Sequence, residues 1–135
     1  MIEINNLAEK EYPLGRVDKK LFSTVAKIIL KGENRRTQTL SLAFVNKEEI
    51  KKLNKKFRNK NKATDVLSFE LNTPKDGQNY LGEIIICPEV VKEKGEEIIK
   101  VFVHGILHLC GYDHEKSKKE EKIMEEKEKY YFLKL

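Results

Sequence analysis

The segment EEIIKVFVHGILHLCGYDH, residues 96–114, predicts the helix around which the rest of the chain is arranged. Its apolar residues, Ile106 and Leu107 among them, place this helix in the core. Gly111 follows the last of them, and a glycine there can adopt the left-handed conformation that ends a helix. We therefore expect a central helix that ends near Cys110, after which the chain reverses.

The elements before and after this segment indicate the fold class. The pattern predicts a strand in MIEIN, a helix over 18–31, a strand over 36–45, a helix from Lys47 to about Arg58, strands from Val66 and over 81–87, and a final helix over 116–135. The segment 72–80 has the composition of a hairpin loop. This order predicts an α+β fold, with a small mixed sheet of about four strands packed against helices.

Several details of packing follow from the same pattern. Asp18 is expected to cap the first helix, and Asn46 the helix from Lys47. The strand over 81–87, LGEIIIC, is the most apolar and is expected in the centre of the sheet. The residues assigned to buried helix faces are Leu21, Phe22, Val25, Ile28 and Ile29 in the first helix, Ile50, Leu53 and Phe57 in the second, and Ile123, Met124, Tyr131 and Leu135 in the last.

Length and composition limit the class of protein. The chain has 135 residues and a mass of 15.8 kDa, which predicts a single domain, 1–135. Two cysteines do not form a disulfide framework. The sequence has no apolar run of membrane-spanning length, and MIEINNLAEK does not resemble a signal peptide. We expect a cytoplasmic protein without a membrane partner.

The positive charge is concentrated in one segment. Residues 47–62 contain seven Lys and one Arg against two Glu, a net charge of +6, whereas the whole chain has a net charge of +5. A local basic patch favours a polyanion such as nucleic acid, and Lys51, Lys55 and Lys56 are its candidate contacts. The alternative is a lysine-rich helix face that contacts only solvent.

The three histidines of the chain all lie within residues 104–114. His104 and His108 are four residues apart on the predicted helix, so both rings lie on one face. The reversal at Gly111 can return His114 to that face. Three imidazole nitrogens suit zinc best, with other transition metals as the alternative, and three protein ligands leave one position open, as in catalytic sites. We therefore predict one zinc ion per chain.

Two neighbours of the histidines were considered for this site. Cys110 lies about 200° around the helix from His108 and is expected to be a small buried residue rather than a fourth ligand. Asp113 is a candidate to orient a ligating imidazole through a hydrogen bond. The alternative is that Asp113 caps the backbone of its own turn.

With these residues identified, the sequence resembles the YbeY endoribonucleases, which are ribosomal RNA maturation factors. HGILHLCGYDH, from His104 to His114, matches the histidine signature of that family. ATDVLSF (63–69), LNKKFRNK (53–60) and LGEIIIC (81–87) match its other motifs in the same order. The matching segments cover most of residues 40–125.

The resemblance implies zinc-dependent cleavage of single-stranded RNA in ribosomal RNA 3′-end maturation and ribosome quality control. It implies the small ribosomal subunit and a ribosome-associated GTPase as partners. It also implies His104, His108 and His114 as zinc ligands, and Arg58 as a catalytic or substrate-binding residue. Asp65, inside the second motif, is expected to shape the turn into its strand, with contact to substrate as the alternative.

Two other functions were weighed. A metalloprotease also carries two histidines four residues apart, but Gly105 stands where such enzymes have their general base, a glutamate. A zinc-stabilised ribosome assembly factor that binds ribosomal RNA without cleaving it would need the same basic surface. Incubation of the protein with labelled RNA, with and without a chelator, separates that module from the enzyme.

Overall fold

The computed structural model describes residues 2–70 and 79–135, apart from the side chain of Val17. These residues form β1 (Ile2–Asn6), α1 (Arg16–Gly32), β2 (Thr39–Phe44), α2 (Lys47–Arg58), β3 (Val66–Glu70), β4 (Tyr80–Ile86), α3 (Pro88–Glu93), α4 (Ile98–Leu109) and α5 (Lys118–Phe132). Apart from α3, these elements and their order were predicted. The hairpin loop expected over 72–80 lies, up to Gln78, outside the described residues.

Helix α3 was missed because Pro88 was interpreted only as the end of a strand. Pro88 occupies the first turn of α3, where proline is favoured because its missing N–H would have no partner within the helix. Val90 and Val91 are buried. Six residues are too few to show a helical period in the sequence.

The sheet is mixed, as predicted, with the strand order β1-β2-β4-β3. Strands β1, β2 and β4 are parallel, and β3 is antiparallel to β4. Strand β4 pairs on both edges, which confirms its central position. Ile84 and Ile86 of this strand pack into the larger core cluster, and Ile85 and Cys87 into the smaller one on the other face. Both faces are therefore covered, which explains the nearly continuous apolar sequence of β4.

Each face of the sheet is covered by its own helices. The larger cluster includes Phe22 of α1, Phe102 of α4 and Met124 of α5. The smaller one includes Ile50 of α2 and Val90 of α3. In the part of the chain that the structure describes, no helix is both long and apolar enough to cross a bilayer.

Some packing predictions were wrong. Helix α1 begins earlier than expected: Gly15 is its N-cap, and Asp18 accepts a hydrogen bond from the Gly15 N–H at 3.0 Å. Leu21, Phe57 and Leu135 are exposed, at 46%, 56% and 48%. Leu135 lies beyond the end of α5, and Phe57 keeps an edge-to-face contact with Phe69 of β3, with ring centroids 5.3 Å apart.

Two glycines determine the course of α4. A Cβ on Gly105 would lie 3.1 Å from Ile84 Cγ2 and 3.4 Å from Ser68 Oγ, so glycine allows the helix to approach β3 and β4 closely. Gly111 has φ +104°, the left-handed conformation that was predicted. Helix α4 ends at Leu109, and the chain reverses after it.

Candidate active site

One cleft of about 520 Å³ contains most of the predicted functional residues. Its lining comes from α2, α4, α5, β3 and the connecting segments. The predicted residues in this lining are Arg58, Asp65, His104, His108, Asp113 and His114. The lining also includes residues that the sequence did not indicate, of which Asn54, Glu96 and Glu128 make the most specific contacts.

The three histidines meet in this cleft. His104 and His108 occupy successive turns of α4, and the reversal at Gly111 brings His114 back toward them. The ring centroids of His104 and His114 are 4.9 Å apart. Spacing on the helix and the reversal at one glycine thus place all three imidazoles in the lining of one cleft.

Two of the rings are oriented by acceptors on their Nδ1 atoms. His104 Nδ1 lies 2.8 Å from Glu128 Oε1 of α5, and His108 Nδ1 lies 3.1 Å from the carbonyl oxygen of Tyr112. A carbonyl can only accept, so the proton of a neutral His108 is on Nδ1. The acceptor of His104 is the carboxylate of Glu128, so the proton of a neutral His104 is also on Nδ1. Nε2 of both rings is then left with a free lone pair, the arrangement of metal-ligating histidines.

The donor set fits a zinc-like ion chemically, but the rings are not yet in ligand geometry. Among residues 2–70 and 79–135, no three His, Cys, Asp or Glu side chains are placed to hold an ion. His114 is the ligand candidate with the greatest freedom, because its side chain is 42% exposed and lies on a loop. Its Nε2 is 3.8 Å from Glu115 Oε1.

Neither cysteine lines the cleft in the described part of the chain. Burial raises the pKa of Cys110 to about 11, which keeps its thiol protonated. Cys87 is fully buried in the smaller core cluster. Cys110, predicted to be a small buried residue, is partly buried against the larger core cluster and does not line the cleft.

The lining of the cleft also includes Arg58, the last residue of α2, which is exposed. Asn59, the next residue, is left-handed with φ 57° and ends the helix. Asn54, only 2% exposed, donates from Nδ2 to the carbonyl oxygen of Lys62 at 2.9 Å. This bond ties the segment after Arg58 to α2. A single asparagine among lysines gave no sequence signal for that role.

Asp65 makes the local contacts of a residue that shapes a turn. Its Oδ1 accepts from the Val66 N–H at 2.9 Å and lies 3.6 Å from Lys94 Nζ. Burial alone would raise its pKa, but the hydrogen bond from Glu96 and the charge of Lys94 outweigh this effect and lower it. Burial, together with the hydrogen bond and charge of Asp65, raises the pKa of Glu96. Of the two carboxyl groups, Glu96 is therefore the one that binds a proton more readily.

Asp113 and the three lysines predicted to contact RNA are the remaining site candidates. Asp113 lines the cleft, and its Oδ1 accepts from the Glu115 N–H at 3.0 Å, the turn contact that was the alternative for this residue. Lys51, Lys55 and Lys56 are exposed on α2 but are absent from the lining, whereas Lys60 and Lys62 belong to it.

The lining carries charges of both signs. The segment from α2 to β3 contributes Arg58, Lys60 and Lys62 against one carboxylate, Asp65. The remaining lining, which includes the three histidines, contributes Lys94 and Lys100 together with Glu96, Asp113, Glu115 and Glu128. The excess of cations in the first segment suits an anion such as phosphate.

Similar proteins are found among known families and solved structures. The family model described as Endoribonuclease YbeY matches residues 3–135. Proteins of that description from Persephonella marina and Francisella philomiragia are 36% and 34% identical, over 87% and 84% of this chain and 84% and 78% of their own. The one from Bdellovibrio bacteriovorus is 43% identical over 70% of this chain, a match that spans 65% of the relative. The solution structure of a Thermotoga maritima protein is similar with a TM-score of 0.61 and 34% identity, over 97% of this chain and 86% of the other, which confirms the α+β fold.

Proposed function

The chain belongs to the YbeY family of endoribonucleases, which are hydrolytic nucleases, as its histidine segment predicted, and from this we propose that it cleaves single-stranded RNA with the help of one bound zinc ion. The observation that carries the proposal is that three histidines, Arg58 and two lysines line one cleft. We further propose that its substrate is ribosomal RNA, during 3′-end maturation and quality control of the small subunit in the cytoplasm, with a ribosome-associated GTPase as a partner.

The histidines would hold the ion through their Nε2 atoms. Glu128 and the Tyr112 carbonyl orient two of these rings before any ion binds. The chemistry that zinc supplies when bound is activation of water and polarisation of a phosphoryl oxygen. Asp113 is a further candidate to orient a ligand once it leaves its contact with the Glu115 backbone.

Arg58 would bind the scissile phosphate in the cleft that it shares with the histidines. RNA hydrolysis increases the negative charge on the phosphoryl oxygens, and a guanidinium can donate to two of them at once. The bond between Asn54 and Lys62 holds the chain just after this arginine, whose side chain is exposed to an incoming strand.

A metalloprotease is not supported by these observations. Gly105, the residue after His104, packs closely, because a Cβ there would lie 3.1 Å from Ile84 Cγ2. A glutamate base at this position would have to enter the packed core between α4 and β4.

Cleavage and zinc dependence can be tested together. The purified chain is incubated with a labelled single-stranded RNA and with the same sequence as a duplex, with a chelator and after zinc is added back. We expect products from the single strand only, lost with chelator and restored by zinc, and absent in His108→Ala. Binding without products under all conditions would instead indicate an assembly factor that does not cleave.

The path of the RNA can be tested by salt dependence. Each phosphate contact of a single strand contributes about −0.7 to the slope of log affinity against log salt. Lys60 and Lys62 line the cleft, so replacing both with glutamine should flatten the slope by about 1.4. A triple glutamine variant of Lys51, Lys55 and Lys56 tests whether the strand continues over α2. An unchanged slope in the triple variant would mean that this helix face contacts only solvent.

A further inference from the structure

A buried carboxylate lies behind the cleft, at the end of α1. Glu33 is the C-cap residue of that helix, and its side chain is only 8% exposed. It accepts hydrogen bonds from Tyr112 Oη at 2.6 Å, from Tyr131 Oη, and from Lys127 Nζ at 3.3 Å. Within the described part of the chain, none of these four residues lines the cleft. We call them the Glu33 cluster.

The position of this carboxylate is unfavourable by itself. A negative charge at the C-terminus of a helix is repelled by the helix dipole, and burial adds a cost of desolvation. Burial alone would raise the pKa of Glu33, but the hydrogen bonds from Tyr112 and Tyr131 and the charge of Lys127 outweigh it and lower the pKa. Burial and the neighbouring Glu33 raise the pKa of Tyr131. The cluster is therefore an ionised acceptor held by protonated donors.

One of these donors belongs to the histidine loop. Tyr112 follows Gly111, and its carbonyl oxygen is the acceptor for His108 Nδ1 at 3.1 Å. His114 lies two residues further along. The Tyr112 side chain points toward Glu33 while its backbone faces His108, so fixing the ring also fixes the carbonyl. Glu33 lies 79 residues before Tyr112 in sequence, and their hydrogen bond ties α1 to this loop.

We propose that Glu33 is a positioning residue for the histidine site, and that it acts through Tyr112 on the orientation of His108 and on the course of the chain to His114. This inference rests on the proposed metal-dependent function. The competing explanation is that the cluster only ties α5 to α1, through Tyr131 and Lys127, and contributes to stability alone.

Two conservative substitutions separate these explanations. Tyr112→Phe removes the hydroxyl that links the loop to Glu33, whereas Tyr131→Phe removes a hydroxyl of the same cluster that lies outside the loop. Tyr130→Phe is the control, because Tyr130 lies next to Tyr131 in α5, is half-exposed and is not among the donors to Glu33. Glu33→Gln keeps the shape of the side chain and provides a second test of the link.

Three quantities are measured for each variant: zinc affinity by competition with a chelator, the ring ¹⁵N signals of His108 in metal-free protein, and the melting temperature. Tyr112→Phe and Glu33→Gln should lower zinc affinity about tenfold, the low end of the range for groups that orient a ligand. In the wild type, His108 should carry its proton on Nδ1, and these two variants should show a mixture of tautomers. Tyr131→Phe should lower the melting temperature without a matching loss of zinc affinity, and Tyr130→Phe should change none of the three.

The inference is overturned if Tyr112→Phe and Glu33→Gln keep both the wild-type zinc affinity and the wild-type His108 tautomer. Loss of affinity with an unchanged tautomer would also overturn it, because the route through the Tyr112 carbonyl would then be wrong. If the wild type binds no zinc, the proposed metal-dependent function fails. The metal-free ¹⁵N signals of His108 then decide the inference alone: a mixed tautomer in the variants supports it and an unchanged one overturns it.

Discussion

Glu128→Ala removes the carboxylate that accepts from His104 Nδ1 at 2.8 Å. A hydrogen bond to a charged group contributes about 1.5–3 kcal/mol. Here solvent screens part of it, since the side chains of His104 and Glu128 are 31% and 33% exposed. The bond is present with and without metal, so its full energy does not contribute to zinc affinity. Only its effects on the orientation of the ring and on the basicity of Nε2 contribute. We expect a loss of about 1.4 kcal/mol, or tenfold in zinc affinity.

The assay is competition for zinc with a chromophoric chelator, together with the melting temperature of the metal-free protein. Glu128→Gln keeps an acceptor without the charge and should fall between wild type and Glu128→Ala. Glu126→Ala is the matched control, because it removes an exposed carboxylate from the same helix. Wild-type affinity in Glu128→Ala, or an equal loss in Glu126→Ala, would refute a specific role for Glu128 in orienting His104.

The other predictions concern four residues. Arg58→Ala should slow RNA cleavage about 10²- to 10³-fold with unchanged metal content, and Arg58→Lys should recover only part of the rate; a wild-type rate in Arg58→Ala would remove it from the reaction. His108→Ala should release zinc, because two imidazoles chelate weakly, and a full equivalent retained in metal analysis would contradict the ligand set. Cys110 is partly buried and has a pKa raised to about 11, so it should react with a thiol reagent at pH 8 much more slowly in the native protein than after unfolding, and equal rates would contradict the raised pKa. Because the pKa of Glu33 is lowered, its ionised form stabilises the fold above the ordinary pKa of 4.5, and this contribution is lost as the pH falls through the folded-state pKa. Glu33→Gln should therefore lower the melting temperature more at pH 7 than at pH 3. An equal loss at both pH values would contradict the lowered pKa.

The sequence by itself determined the ligand candidates and the order of the elements apart from α3. The spacing of His104 and His108 is a local property, since residues four apart share a helix face in any context. Gly111 ends α4 through its own backbone conformation, which no neighbour needs to impose. The alternation of β2 and the apolar sequence of β4 likewise report which faces are buried. Such signals extend over a few residues, so they can be interpreted without knowing the fold.

The tertiary structure decided how those residues are held and which other residues surround them. Glu128 lies 24 residues after His104, and Glu33 lies 79 residues before Tyr112, so no local pattern connects either pair. In the sequence Asn54 is one more polar residue of a basic helix, and only the structure shows its bond to the Lys62 carbonyl. Lys60 and Lys62 line the cleft in place of the predicted lysines. The packing of α2 on the sheet decides which lysines reach the cleft, and no local pattern shows it. Hydrogen bonds between distant residues depend on where whole helices pack, and that packing is a property of the complete core.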